Sequence, residues 1–409
     1  MSLDAFRGLT IAGMILVNNP GSWSHVYTPL GHAHWHGWTP TDLIFPFFLF
    51  IVGVSMVFSF DRRLERGDAR GTLILQVVRR SVVLFALGLI MAGFPDWRLI
   101  GPFVLVAAGA WLAFGRVSMV WRLVGTALLA GAVIFLAADF AYFHESQLRV
   151  PGVLQRIAVC YFVASLVVLG LGIGGRVAVA VALMVGYWAI IRLVPPPAGY
   201  AGVVTGSEGL LHDWIDVKLL GAHLYRERPD PEGILSTIPA IATVLLGVLT
   251  GHWLRSARDA RDTLIGLFVA AHLAVFVGLW MNYGLPINKK LWTSSYVVFT
   301  AGVALHVLAL CYWLIDVKRI RAWSWPFVVF GTNAILVFFA SGLLARMLTR
   351  WTVRAGDHSA VPLKQWVYQT CFASWAAPRL GSLLFACAYV LLWLVLLIPL
   401  YRRRIFFRI

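Results

Sequence analysis

Uninterrupted apolar runs such as Leu43–Phe60 and Leu383–Tyr401 constrain this chain more than anything else in it. Each is close to the ~20 residues that a helix needs to cross a bilayer. Hydrocarbon offers the backbone no hydrogen bonds, so only helices or closed barrels can span it. Barrel strands would alternate over about ten residues, which these runs do not do. Composition agrees, with 60% hydrophobic and only 13% charged residues, against about 25% charged in soluble domains. The expected fold is an all-α polytopic membrane protein.

Twelve apolar spans can be placed, at about 5–19, 41–60, 73–94, 99–115, 122–141, 152–173, 177–194, 235–254, 263–283, 294–315, 326–347 and 382–401. The first is short. An even number puts both termini on one side, and the arginines say which. Arg62, Arg63, Arg66 and Arg70 share the terminal side with Arg116, Arg122, Arg255, Arg258, Arg261, Lys318, Arg319 and Arg321. Arg402, Arg403, Arg404 and Arg408 close the chain there. By the positive-inside bias that side is cytoplasmic. The net charge of +16 is thereby a cytoplasmic rim rather than a nucleic-acid surface, and no nucleic-acid partner is expected. No small-residue cleavage site follows the first apolar run, so no cleavable signal is expected. The two longest connections, about 195–234 and 348–381, fall on the outer side with ordered caps or interfacial segments expected. One membrane domain over residues 1–409, surrounded by lipid, accounts for the whole chain.

Polar residues gather in the loop after the first span. Asn18, Asn19, His25, His32, His34 and His36 lie there, with Asp42 just beyond. Ionisable groups at a membrane edge call for a function because hydrocarbon penalises them. Three readings are open for the histidines. His32, His34 and His36 at alternate positions could share a face and hold a metal. They could be interface residues mixed with Trp23, Trp35 and Trp38. One could be a general base or nucleophile, supported by Asn18 and Asp42, since imidazole exchanges protons near neutrality.

Elsewhere, Arg7 in Asp4-Ala-Phe-Arg7-Gly8 marks the cytoplasmic mouth of the first span, either as an anchor or as a contact for an anionic cytosolic ligand. Arg79 and Arg80 open the third span with the same ambiguity. Arg156 and Gln155 lie deeper than the snorkelling Arg149 and need a partner or a cavity. Asp230 and Glu232 precede another span as helix-capping acids or as a site for a cationic amine. Pro286–Trp292 is basic on the outer side, against the bias. Asn333 within a span reads as interhelical glue, and Asp139, near a span end, is the main intramembrane acid. The four cysteines have no CxxC spacing, which favours buried reduced thiols. The P-loop and GxSxG are absent.

The motifs S-L-D-A-F-R-G, V-N-N, H-A-H-W-H-G-W-T-P-T-D-L-I-F-P, R-V-P-G-V-L-Q-R-I, D-P-E-G-I-L-S-T-I, P-I-N-K-K-L-W-T-S-S-Y and G-T-N-A-I-L-V follow one another over nearly the whole chain. In them the chain resembles the transmembrane acyltransferases typified by lysosomal heparan-α-glucosaminide N-acetyltransferase, with bacterial DUF5009-type relatives. The resemblance implies acetyl transfer from cytosolic acetyl-CoA to the amine of a glucosamine-type sugar at the extracytoplasmic side, in a bacterial inner membrane. It implies His32 as the catalytic histidine, supported by Asn18 and Asp42, and no metal. Whether His32 acts as base or carries the acetyl group stays open. Arg7, Arg79, Arg80 and Arg156 are the candidates for acetyl-CoA; Asp230, Glu232 and Asn288 are those for the acceptor. Residues 98–146 form a helical hairpin additional to the family pattern, and a homodimer is left open. Nothing matches the lumenal N-terminal domain of the lysosomal enzyme, so a small amino sugar or cell-wall fragment is the expected acceptor. The rival reading is a permease for N-acetylglucosamine or a related amino sugar that transfers nothing.

Overall fold

The computed structural model describes residues 1–115, 117–197, 210–225, 227–354 and 360–407. Arg116, Arg408 and parts of both long loops lie outside the described residues. The helices in the first half are α1 (Ser2–Asn18), α2 (Pro40–Glu65), α3 (Arg70–Gly93), α4 (Trp97–Ala113), α5 (Met119–Ala138), α6 (Phe140–Glu145), α7 (Val153–Gly170) and α8 (Ile173–Leu193). Then come α9 (Leu211–Leu220), α10 (Ile234–Arg255), α11 (Ala260–Met281), α12 (Ser294–Cys311), α13 (Trp325–Thr332) and α14 (Ala334–Arg350). A small antiparallel pair, β1 (Thr352–Arg354) and β2 (Ala360–Pro362), precedes α15 (Leu363–Cys371) and α16 (Pro378–Arg402).

Each of the twelve expected spans falls on helix, but not every helix meets the requirements for a crossing. Among the described residues nine are long and apolar enough, or ten if the bent pair α13–α14 is one span. α1 and α4 have 17 residues each, about 25 Å of helix against a ~30 Å hydrocarbon core. The expected single span 326–347 is instead broken by 74° between α13 and α14. Asn333 sits at the break with φ −126° and ψ 36°. Its side chain turns to the C-terminal segment, donating to Ile405 O at 3.1 Å and accepting from Phe407 N at 2.9 Å.

The chain forms two compact units: Met1–His34, Trp38–Phe48 and His306–Arg408 in the first, Trp35–Gly37 and Leu49–Leu305 in the second. In the first unit α1 lies directly against α13. A Cβ on Gly8 would fall 1.6 Å from Phe327 O, and one on Gly331 2.0 Å from Asp4 O. The absence of side chains at both positions is what lets these backbones meet. The second unit repeats the device between α2 and α10, where a Cβ on Gly53 would lie 2.0 Å from Val244 O and one on Gly247 2.0 Å from Phe50 O. There α10 is the most enclosed span, and α5, α8 and α11 are mostly exposed on their apolar faces.

A methyl group at Gly8 therefore meets backbone, whereas at Gly13 of the same helix it makes ordinary contact with Ile44. Gly8→Ala should cost about 1–3 kcal/mol, as overpacking does, and lower the thermal midpoint of the detergent-purified protein. Gly13→Ala should hold or raise it, because alanine is the better helix former. Fluorescence-detected gel filtration after heating measures both.

Candidate functional site

In the first unit the polar centre forms where α2 begins. Thr39-Pro40-Thr41-Asp42 has the residues of a helix start. Proline at the first helical position wastes no donor, and an acid at the third can reach back to the cap N–H. Asp42 does this: Oδ2 accepts from the backbone N–H of Thr39 and of Ala33, both at 3.0 Å. Thr39 Oγ1 stands 2.7 Å from Gly31 O and 3.1 Å from Asp42 Oδ2. The second carboxylate oxygen, Oδ1, is 2.7 Å from His32 Nδ1. Asp42 is 1% exposed, while the His32 side chain is 50% exposed. A fixed buried carboxylate thus orients an accessible imidazole. With Nδ1–H donating to Asp42, Nε2 is the basic nitrogen of the neutral ring. The N-terminal end of the α2 dipole also favours negative charge at Asp42.

The other sequence candidates of this unit are Asn18 and Arg7. Asn18 is the last residue of α1 and exposed, and its side chain makes no hydrogen bond among the described residues; its neighbour Asn19 is buried and donates to Ile15 O at 2.8 Å. Arg7 is tied into the α1–α13 crossing, its Nη1 donating to Asp4 Oδ1 at 3.0 Å and to Gly331 O at 3.3 Å. As for a metal, no three His, Cys, Asp or Glu side chains converge among the described residues.

The second unit holds a separate buried polar network. Arg156, fourth residue of α7, is 2% exposed. Its Nη2 donates to Gly233 O and Ser236 Oγ, and its guanidinium lies 5.1 Å from the Trp292 ring centre. Nε and Nη1 of Arg156 are buried without a hydrogen-bond partner among the described residues. Unpaired buried donors are costly, so these two fit an anionic group better than an empty apolar wall. Arg79 and Arg80 are the tenth and eleventh residues of α3, which begins at Arg70, about 14 Å along the helix. Arg79 lies over Trp111 and Arg80 over Tyr161, each 4.7 Å from the ring centre.

Asp230 and Glu232 are engaged by Arg149, which donates to Asp230 Oδ2 at 3.1 Å, to its Oδ1 at 2.6 Å and to Glu232 Oε2 at 2.5 Å. Asp230 also accepts from the N–H of Tyr225 and of Glu232. The first N–H of α10 goes instead to Asp216 of α9, at 2.9 Å; nothing in the sequence ties those two segments together. Asn288 is fully buried and shapes the 286–293 turn: Oδ1 accepts from Leu291 N at 3.0 Å, and its N–H donates to Thr293 Oγ1. Its Nδ2 is 3.5 Å from His36 Nδ1. Tyr187 and His212, neither singled out in the sequence, meet through Tyr187 Oη and His212 Nε2 at 2.6 Å. Their only sequence signal is a tyrosine in an apolar span and a histidine in an amphipathic segment.

The chain is thus a mostly helical polytopic membrane protein with an accessible imidazole, oriented by a buried carboxylate, where one of its long apolar helices begins. Residues 1–281 match the family described as heparan-alpha-glucosaminide N-acetyltransferase, catalytic, and the chain belongs to that family. It is 26% identical over 462 aligned positions to the human heparan-alpha-glucosaminide N-acetyltransferase, covering all of this chain and 59% of that protein. To the mouse protein of the same name it is 29% identical over 375 positions, covering 84% of this chain and 53% of the relative. The chain thus spans little more than half the length of the relatives it matches.

Burial also sets two titrations in opposition on α9. It pushes Asp216 up from 3.8 to about 6, and holds His212 down from 6.5 to about 4 with help from the Arg156 charge. Asp216 binds its proton more tightly folded than unfolded, so its contribution to stability falls as pH rises from about 4 to 6. His212 does the reverse: its contribution is whole above about 6.5 and is lost as pH falls toward 4. Relative to wild type, Asp216→Asn should lose thermal stability between pH 7 and 5, and His212→Gln should gain it. Thermal unfolding across that range gives both slopes.

Proposed function

We propose that the chain is a membrane-embedded N-acetyltransferase that moves an acetyl group from acetyl-CoA to the amine of a glucosamine-type sugar. The observation that carries this reading is the 2.7 Å contact between His32 and the buried, backbone-anchored Asp42. Family membership and the names of the human and mouse relatives support the acetyl group and the amino-sugar acceptor. Acetyl-CoA supplies an activated thioester. His32 Nε2 takes the proton of the acceptor amine as the N–C bond forms, and returns it to the departing sulfur as the C–S bond breaks. Asp42 holds the ring in the required tautomer and stabilises the imidazolium. Asn18 donates its side-chain amide to the developing oxyanion. Arg7, Arg79, Arg80 and Arg156 neutralise CoA phosphates, a task for which guanidinium suits through charge-assisted bonds. The unpaired donors on Arg156 are the best fit among them. Asp230, Glu232 and Asn288 remain the proposed acceptor set. The first two would act through the Arg149 network that holds their turn.

Twelve crossings with both termini in the cytoplasm, in a bacterial inner membrane, complete the proposal. The donor then enters from the cytosol and the acceptor from outside, with a homodimer as a further assembly. The arginine distribution between spans supports this sidedness.

Purified protein in detergent, given acetyl-CoA and glucosamine, should release free CoA thiol and form the acetylated amine. A permease would release none, and that result sinks the proposal. Asp42→Asn should lower kcat by about 10²–10⁴ with KM little changed, and His32→Ala should lower it at least as far. An acetyl-protein trapped on His32 in a quenched single turnover would replace direct transfer by a two-step route.

A further inference from the structure

The second unit contains a cavity lined by none of the residues proposed for acetyl transfer. It is a groove of about 630 Å³ between α8 and α11, bounded by the 283–285 turn and by Ser294 and Val298 of α12. On α8, Val181, Met184, Val185 and Trp188 line it at helical spacings of three and four residues. Val277, Trp280 and Met281 of α11 form the opposite wall. Of the two hydroxyls in the lining, that of Ser294 is committed to Met184 O at 2.8 Å, and that of Tyr283 belongs to an exposed side chain. A groove so poor in polar partners does not retain water.

The α8 stripe ends in a charge. One turn beyond Trp188 comes Arg192, exposed, whose Nη2 donates to the carbonyl of Gly284 in the groove wall. That bond fixes the guanidinium at the end of the groove and uses one of its five donors. From Val181 to Arg192 is 11 residues, about 16 Å of helix, close to half of the ~30 Å hydrocarbon core. The groove therefore has about the length of one leaflet and finishes at a cation. Both walls belong to spans with only 17% of their apolar window buried within the chain, so the groove faces the membrane.

We propose that this groove binds an anionic phospholipid, one acyl chain lying along Val181–Trp188 and the phosphate meeting Arg192. Apolar length, the cation at its end and the scarcity of polar lining agree on that occupant. A zwitterionic lipid would bring its phosphate together with a cation of its own that Arg192 repels, and a polar solute would find few partners below it.

The test uses the full chain, stripped of lipid in detergent and re-equilibrated with equal amounts of phosphatidylglycerol and phosphatidylcholine. Retained lipid is then counted by native mass spectrometry. About one phosphatidylglycerol per chain is expected, in clear excess over phosphatidylcholine. Arg192→Gln, at an exposed position, should reduce that excess about fivefold, the effect of one interfacial cation. Val185→Trp, which fills the groove, should remove both lipids while the gel-filtration profile and thermal midpoint hold. Wild type retaining no lipid, or Arg192→Gln keeping the full preference, overturns the proposal. So does a Val185→Cys chain that cross-links to a second copy through this position, because the groove is then a protein interface.

Discussion

Hydrocarbon gives a polar group nothing to bond to, and every arrangement described above answers to that. The backbone answers by forming helix along almost all of its apolar length. Side chains answer more selectively. Asp42 spends one carboxylate oxygen on two backbone N–H groups and the other on His32. Asp230 accepts from Arg149 and from two backbone N–H groups. Groups satisfied in this way cannot reorient without leaving a donor or acceptor unpaired at a cost of about 1–3 kcal/mol. That cost makes the His32 ring a positioned group rather than a surface histidine, although half of it is exposed.

Close backbone contact is the second requirement, because lipid provides no hydrophobic drive for one helix to associate with another. Gly8 and Gly331 meet it in one unit, Gly53 and Gly247 in the other. In each pair the missing side chains bring backbone atoms together and maximise dispersion contacts. The first pair sets α1 against α13, just where Arg7 bonds Gly331 O. The same arginine that reads in the sequence as an anchor or a phosphate contact therefore also braces a helix crossing. Its role toward a cofactor must be judged against that bond.

Much of the architecture was legible in the chain because hydropathy acts locally. All twelve apolar stretches became helix, since any twenty-residue apolar run faces the same backbone constraint wherever it lies. The break at Asn333 was not legible. A lone asparagine in a span reads equally well as a bond to a neighbouring helix, and only the return of the C-terminal segment to its side chain shows it bending its own. The start of α3 was not legible either: the helix begins at Arg70, three residues before its apolar run. The acids before α10 illustrate a third kind of limit. Asp230 and Glu232 are adjacent to the helix in sequence, yet Arg149 engages them and the cap comes from Asp216 on another element.

What the sequence determined by itself was the membrane class, the positions of the apolar helices, and a short list of polar residues around the first loop. Those depend on composition and on spacing within one segment. Tertiary structure decided which polar residues lie in contact. It joined His32 to Asp42 through the cap of α2, left Asn18 exposed at the end of α1, and assembled Arg156, Trp292, Tyr187 and His212 from segments far apart in the chain. The reason is physical. Hydropathy is a property of each residue, whereas hydrogen-bond satisfaction depends on which donors and acceptors the fold places within three ångströms of one another.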